Sequence, residues 1–61
     1  MSDHFTEGTR VTVIRDGDSH FGEIGEVVYV DHGNGKLHDV MFDGDDVATY
    51  GYQDLDEWEA A

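Results

Sequence analysis

Residues 24–42 read IGEVVYVDHGNGKLHDVMF, and two apolar runs in this stretch flank a glycine-rich turn at residues 32–35. The turn contains an Asn-Gly pair, which favours a tight hairpin because both central residues of such a turn adopt positive φ. The stretch therefore predicts a β-hairpin, with one strand over residues 24–31 and the next over residues 37–42.

The first of these strands carries apolar residues on both faces. Strict alternation places Ile24, Val28 and Val30 on one face, and Val27 and Tyr29 on the other. Such a strand is buried on both sides or bends along its length. The glycines at its start permit a bend or a close approach of another backbone.

Shorter segments on either side of the hairpin complete an all-β pattern. We predict further strands at residues 9–15 and 47–50, a closing segment at residues 55–58, and a helical turn at residues 52–54. Acidic, glycine-containing turns at residues 16–19 and 43–46 separate the strands. Asp54 also offers an N-cap for a short C-terminal helix, since Glu57 follows at the capping-box spacing.

A chain of 61 residues without cysteine has a small core and no disulfide to reinforce it. Nearly every large side chain is therefore needed inside, and we assign Val27, Phe42, Tyr50 and Leu55 to the core. Tyr52 and Trp58 have polar tips and are the better candidates for exposure. The histidines are scattered without zinc-like spacing, and we place all four on the surface: His4, His20, His32 and His38.

The charge of the chain restricts its partners. Three Lys and Arg residues oppose 15 Asp and Glu residues, which gives a net charge of −12 at pH 7. Nucleic acids and anionic membranes both require basic side chains, so neither is an expected direct partner. A basic protein or concentrated salt is the natural complement. The longest apolar run, residues 27–30, is too short to span a membrane, and we expect a cytoplasmic protein.

Two short segments resemble the KOW motif: GTRVTVI at residues 8–14 and FGEIGEV at residues 21–27. VMFDGD at residues 40–45, followed by Tyr50 and Leu55, is similar to the later strands of SH3-like, Tudor-like and PsaE-type barrels. The resemblance implies a single five-stranded SH3-like barrel with a short helical turn near the C-terminus. The barrel would occupy residues 8–58, after an N-terminal extension at 1–7 and before a tail at 59–61.

The resemblance also implies classes of function. KOW domains bind RNA or protein, PsaE-type barrels dock onto larger assemblies, and Tudor-like barrels bind methylated basic side chains through an aromatic cage with acidic neighbours. All of these families act mainly by binding. In this chain the first loop, residues 16–20, is acidic, and its charge favours a protein partner.

We therefore expect a non-enzymatic protein-interaction module, a monomer or weak homodimer, that docks on a basic or mixed-charge protein surface. Acidic loops with aromatic neighbours define its predicted partner-binding site: Asp16, Asp18, Phe21, Asp43, Asp45, Asp46, Tyr50, Tyr52 and Trp58. The acidic turns lack the spacing of an EF-hand loop, and we expect no metal, cofactor or catalytic residue. Two alternatives are a phage-type DNA mimic that inhibits a DNA-binding protein, and a halophile-adapted barrel subunit of a larger complex.

Overall fold

The computed structural model of this protein describes residues 4–33 and 36–58. Within these residues the chain forms five strands: β1 at Arg10–Val13, β2 at Ile24–Asp31, β3 at Leu37–Phe42, β4 at Asp46–Tyr50 and β5 at Leu55–Glu57. A single turn of 3-10 helix at Tyr52–Asp54 precedes β5. The predicted all-β fold and the helical turn near the C-terminus are confirmed. Half of the predicted 32–35 turn, and the predicted tail at 59–61, lie outside the described residues.

The strands form one antiparallel sheet in the order β4-β3-β2-β1-β5. The last strand returns to the first, with Leu55 opposite Val13 and Glu57 opposite Val11. This pairing is the reason that no helix starts at Asp54, so the alternative of a C-terminal helix is wrong over the described residues. No ladder joins β4 to β5 in the described chain, and closure into an SH3-like barrel stays a prediction.

Strand β2 departs from the alternation that its sequence predicts. Val27 pairs with Val40 and Tyr29 pairs with Asp39, so Val28 is an extra residue at a β-bulge. The bulge shifts the phase of the strand, and Val27 and Val30 both point into the core while Val28 and Tyr29 are exposed. The predicted grouping of Val28 with Val30, and of Val27 with Tyr29, is therefore wrong.

The core lies on the inner face of the sheet. It contains eight buried side chains: Val11, Val13, Val27, Val30, Val40, Phe42, Tyr50 and Leu55. The four residues assigned to the core from the sequence are all among them. Gly25 sets the spacing between β2 and β3, because a Cβ there would lie 2.6 Å from the Val40 side chain and 2.8 Å from the Met41 carbonyl.

Among residues 4–33 and 36–58, one polar side chain is fully buried with this core, and it is His38, at 0% exposure. The assignment of this histidine to the surface is wrong. The backbone N–H of Phe5 donates to His38 Nε2 at 2.9 Å, and His38 Nδ1 lies 3.3 Å from the carbonyl oxygen of Tyr50. Phe5 also packs against the core and against the ring of Tyr52 at 4.8 Å. The residues before β1 thus help to cover the core.

Candidate docking surface

The β1–β2 loop, residues 14–23, is fixed to the rest of the fold by Asp18. Its Oδ2 atom accepts hydrogen bonds from the Tyr50 hydroxyl at 2.6 Å and from the backbone N–H of His20 at 2.9 Å. The bond from Tyr50 is the main cause that lowers the pKa of Asp18, since it stabilises the carboxylate. Burial, followed by the same hydrogen bond, raises the pKa of Tyr50, so the hydroxyl stays a donor at physiological pH.

Tyr50 was predicted both as a core residue and as part of the partner-binding site. Its ring is buried at 3% exposure, and its hydroxyl is engaged with Asp18. The ring is therefore not presented at the surface, and Tyr50 acts on the loop by holding Asp18. Asp18 itself is partly buried, and its carboxylate accepts hydrogen bonds from within the protein.

His20 connects the same loop to the start of β4. Its Nδ1 atom lies 3.1 Å from Glu23 Oε1, and its Nε2 atom lies 3.1 Å from Asp46 Oδ2. The ring stacks on Phe42, with centroids 4.2 Å apart and planes 4° from parallel. The hydrogen bond to Glu23, together with the charges of Asp46 and Asp18, raises the pKa of His20. We refer to His20, Glu23 and Asp46 as the histidine bridge.

The histidine bridge places the two predicted acidic loops side by side. Asp46 directly follows the β3–β4 turn at residues 43–45, where Gly44 and Asp45 have φ of 81° and 66°. A short polar side chain tolerates this left-handed conformation better than most, and glycine accepts it freely. Exposed residues of the two loops make up what we call the two-loop acidic surface: Asp16, Phe21, Glu23, Asp43, Asp45 and Asp46.

The sequence offered no sign of the bridge itself. His20 was assigned to the surface, and the structure finds its side chain only 17% exposed between two carboxylates. Glu23 was not singled out at all. The contact between His20 and Asp46 joins residues 26 positions apart. It depends on how the loop folds back on the sheet, and local sequence spacing does not predict it.

Tyr52 lies away from the two-loop acidic surface, whereas Trp58 lies beside Arg10 at the β5 edge of the sheet. Strand β4 runs away from the 43–45 turn at about 3.3 Å per residue, so Tyr52 lies beyond its far end. Tyr52 packs on Phe5 and helps to line a second cavity beside Glu57. The backbone N–H of Trp58 donates to the Arg10 carbonyl at 2.9 Å and extends the pairing of β5 with β1. The predicted nine-residue site is therefore not one patch.

A groove on the outer face of the sheet adjoins the two-loop acidic surface. It has a volume of about 280 Å³ and is lined by residues of three strands and of the β3–β4 turn: Arg10, Ile24, Gly25, Glu26, Met41, Phe42, Asp43, Gly44 and Asp45. We call it the outer-face groove. The sequence analysis did not single out Met41, and it treated Ile24 only as part of a strand with two apolar faces.

Two further findings concern residues 4–33 and 36–58. No three histidine, aspartate or glutamate side chains there are grouped so that they could hold a metal ion, and no helix there is long and apolar enough to cross a membrane. Comparison with protein-family models, curated proteins and solved structures gives no match to this chain. The resemblance to KOW and SH3-like domains accordingly stays a prediction.

Proposed function

We propose that this protein is a non-enzymatic interaction module that docks on a basic or mixed-charge protein surface through the two-loop acidic surface. The observation that carries the proposal is the 3.1 Å contact between His20 Nε2 and Asp46 Oδ2. It joins two loops that are far apart in the chain, so their exposed carboxylates lie beside one another. The cytoplasmic location and the monomeric or weakly dimeric state predicted from the sequence belong to the same proposal.

Charge and exposure support this function. The carboxylates of Asp43, Asp45 and Asp46 are exposed, and long-range attraction from such a group increases the rate at which a basic partner associates. Phe21 is 55% exposed on the neighbouring loop and supplies a large apolar contact. Interfaces gain most of their stability from such aromatic anchors, while charges on their rim set the association rate.

The chemistry of the loops gives little support to catalysis. Ser19 lies next to His20, but both ring nitrogens of His20 face carboxylates and neither is directed at a hydroxyl. A serine without an oriented base is a weak nucleophile. The carboxylates of the β3–β4 turn are exposed to solvent, which is not the sheltered setting typical of a catalytic acid or base.

The proposal is tested with a fluorescently labelled decalysine peptide as the basic probe. The double variant Asp43→Asn, Asp45→Asn removes two charges from the acidic surface, and Glu7→Gln, Asp56→Asn removes two exposed charges from elsewhere. We expect the first variant to slow association at least about threefold more than the second, because local charge dominates steering at short range. Stopped-flow association rates at increasing NaCl concentration measure this difference.

Two outcomes of this experiment would contradict the proposal. Equal slowing by the two variants would mean that only net charge matters, and the assignment of the surface would be wrong. Association that is independent of salt would contradict electrostatic docking altogether. Circular dichroism spectra of both variants check that the sheet is intact, since all four positions are exposed.

A salt-adapted subunit is a second candidate, because carboxylates are not confined to the two loops. Exposed acidic residues also lie on β2 and β5, at Glu26, Asp56 and Glu57. Screening shortens the reach of their mutual repulsion, so this candidate predicts a Tm that rises from low to molar KCl. A Tm that does not change would contradict it. The DNA-mimic alternative stays a prediction, and duplex DNA that displaces the module from a DNA-binding protein would support it.

A further inference from the structure

We infer that the outer-face groove binds an extended basic segment of the partner, with an apolar side chain of that segment on Ile24 and Met41 and a lysine or arginine on either side. The inference rests on the proposed function, since Asp43 and Asp45 line the groove and also belong to the two-loop acidic surface. It adds the chemical pattern that the partner presents.

Two side chains that line the groove, Ile24 and Met41, are apolar and exposed among charged neighbours, and we refer to them as its floor. Glu26 pairs with Met41 across the β2–β3 ladder, and Ile24 lies two residues before Glu26 on the same face of β2. Ile24 is 43% exposed and Met41 is 38% exposed, and Val47, opposite Met41 on β4, is 50% exposed. Exposed apolar side chains from three neighbouring strands thus lie near one another on this face of the sheet.

The size of the groove limits what it can hold. Sites for small molecules and cofactors occupy roughly 300–1,000 Å³, and this groove, at about 280 Å³, is at the lower end of that range. It is open to solvent and is bounded on one side by the β3–β4 turn. One or two side chains of a macromolecule fit this space better than a complete cofactor does.

The charge of the lining selects a basic occupant. Glu26, Asp43 and Asp45 supply three carboxylates against the single guanidinium of Arg10. In an extended peptide, residues i and i+2 face the same side about 6.6 Å apart. An apolar residue on the groove floor therefore brings the residues at i−2 and i+2 to its acidic rim. Lysine and arginine suit these positions, since their aliphatic stems also pack on apolar surface.

Two blocked peptides of equal charge test this pattern. The sequences SKSLSKS and SKSSSKS differ only in the central residue, which is leucine in the first. Titration into isotopically labelled protein, followed by amide chemical shifts, gives both affinities. We expect the leucine peptide to bind about fivefold more tightly, because its central side chain is partly removed from water. Its additional shifts should map to Ile24, Met41 and their neighbours.

Variants of the floor sharpen the test. Ile24→Thr and Met41→Thr keep a side chain that is suited to a strand, and both positions are well exposed, so the fold should tolerate them. We expect each variant to reduce the advantage of the leucine peptide to less than about twofold. Val28→Thr is the matched control, since Val28 is exposed on β2 but does not line the groove, and it should leave the advantage unchanged.

Failure of this inference is distinguishable from failure of the proposed function. Equal affinity for the two peptides, with both weakened by Asp43→Asn, Asp45→Asn, would overturn the groove and leave acidic docking intact. Affinities that do not respond to that double variant would overturn both. A leucine advantage that survives Ile24→Thr and Met41→Thr would place the apolar contact outside the groove and overturn the inference, even if the peptides bind.

Discussion

Strand β3 is covered near each of its ends by another segment of the chain, and a histidine makes the connection in both regions. At the Phe42 end, His20 of the β1–β2 loop stacks on the strand and lies between the carboxylates of Glu23 and Asp46. Near the Leu37 end, His38 belongs to the strand itself and is buried between backbone groups of Phe5 and Tyr50. One region depends on charge, and the other does not.

The difference follows from the groups that each ring meets. The Phe5 N–H donates to Nε2 of His38, so the ring proton resides on Nδ1, where it points to the Tyr50 carbonyl. A neutral imidazole satisfies both neighbours without a counterion, as a fully buried group should. His20 faces carboxylates with both nitrogens, which favours the imidazolium. The same residue type thus provides a buried neutral link in one region and a partly exposed ionic link in the other.

Removal of the buried His38 side chain should destabilise the protein more than removal of His20 does. His38→Ala leaves a cavity in the core and removes the partners of the Phe5 N–H and the Tyr50 carbonyl. We expect a loss of about 2–4 kcal/mol in the free energy of unfolding, which is a large fraction of the stability of a domain of this size. Urea unfolding followed by circular dichroism measures the loss.

Two companion variants separate lost packing from lost hydrogen bonds. His38→Gln retains an acceptor and a donor at similar reach and should recover part of the lost stability, whereas His38→Leu restores volume without polar atoms. His20→Ala should destabilise the protein much less than His38→Ala, because its ion pairs are partly exposed. If the two alanine variants lost equal stability, the contrast between the two regions would be wrong.

Local pattern was sufficient to predict the strands but not their pairing details. The bounds predicted for β2 and β3 agree with those observed, because apolar alternation and turn residues act over a few positions. The bulge at Val28 was not predicted, since both Val28 and Tyr29 favour strands and nothing in their sequence marks an extra residue. The bulge instead allows both Val27 and Val30 to pack in the core, and this packing determines which residues of β2 face inward.

The contacts of the candidate surface were even harder to predict from local sequence pattern. The acidic loops were predicted from composition and turn residues, and most of their carboxylates are exposed, although Asp18 is half-buried. What joins the loops was missed, because Asp18 reaches Tyr50 across 32 positions and Phe5 reaches His38 across 33. Buried polar contacts of this kind depend on the tertiary fold, and a single sequence has no periodic signal for them.

The ionic link at His20 should make the stability of the protein depend weakly on pH. Hydrogen bonding to Glu23, with the charges of Asp46 and Asp18, raises the pKa of His20 above its ordinary value of 6.5. The stabilisation is therefore fully present below pH 6.5 and is lost as pH rises through the raised pKa in the folded state. We expect the contribution of His20 to stability to fall slightly from about pH 6 to about pH 9, a window in which carboxylates do not titrate.

His20→Gln isolates this contribution, because every other titrating group is common to both proteins. The difference in Tm between the wild-type protein and the variant should shrink as pH rises, and the His20 ring resonances should titrate at a higher pH than those of a histidine in an unfolded peptide. Salt should act in the same direction, since both ion pairs are partly exposed and therefore screened. A difference that stays constant across the window would mean that His20 contributes by stacking on Phe42 alone, and the ionic character of this region would be wrong.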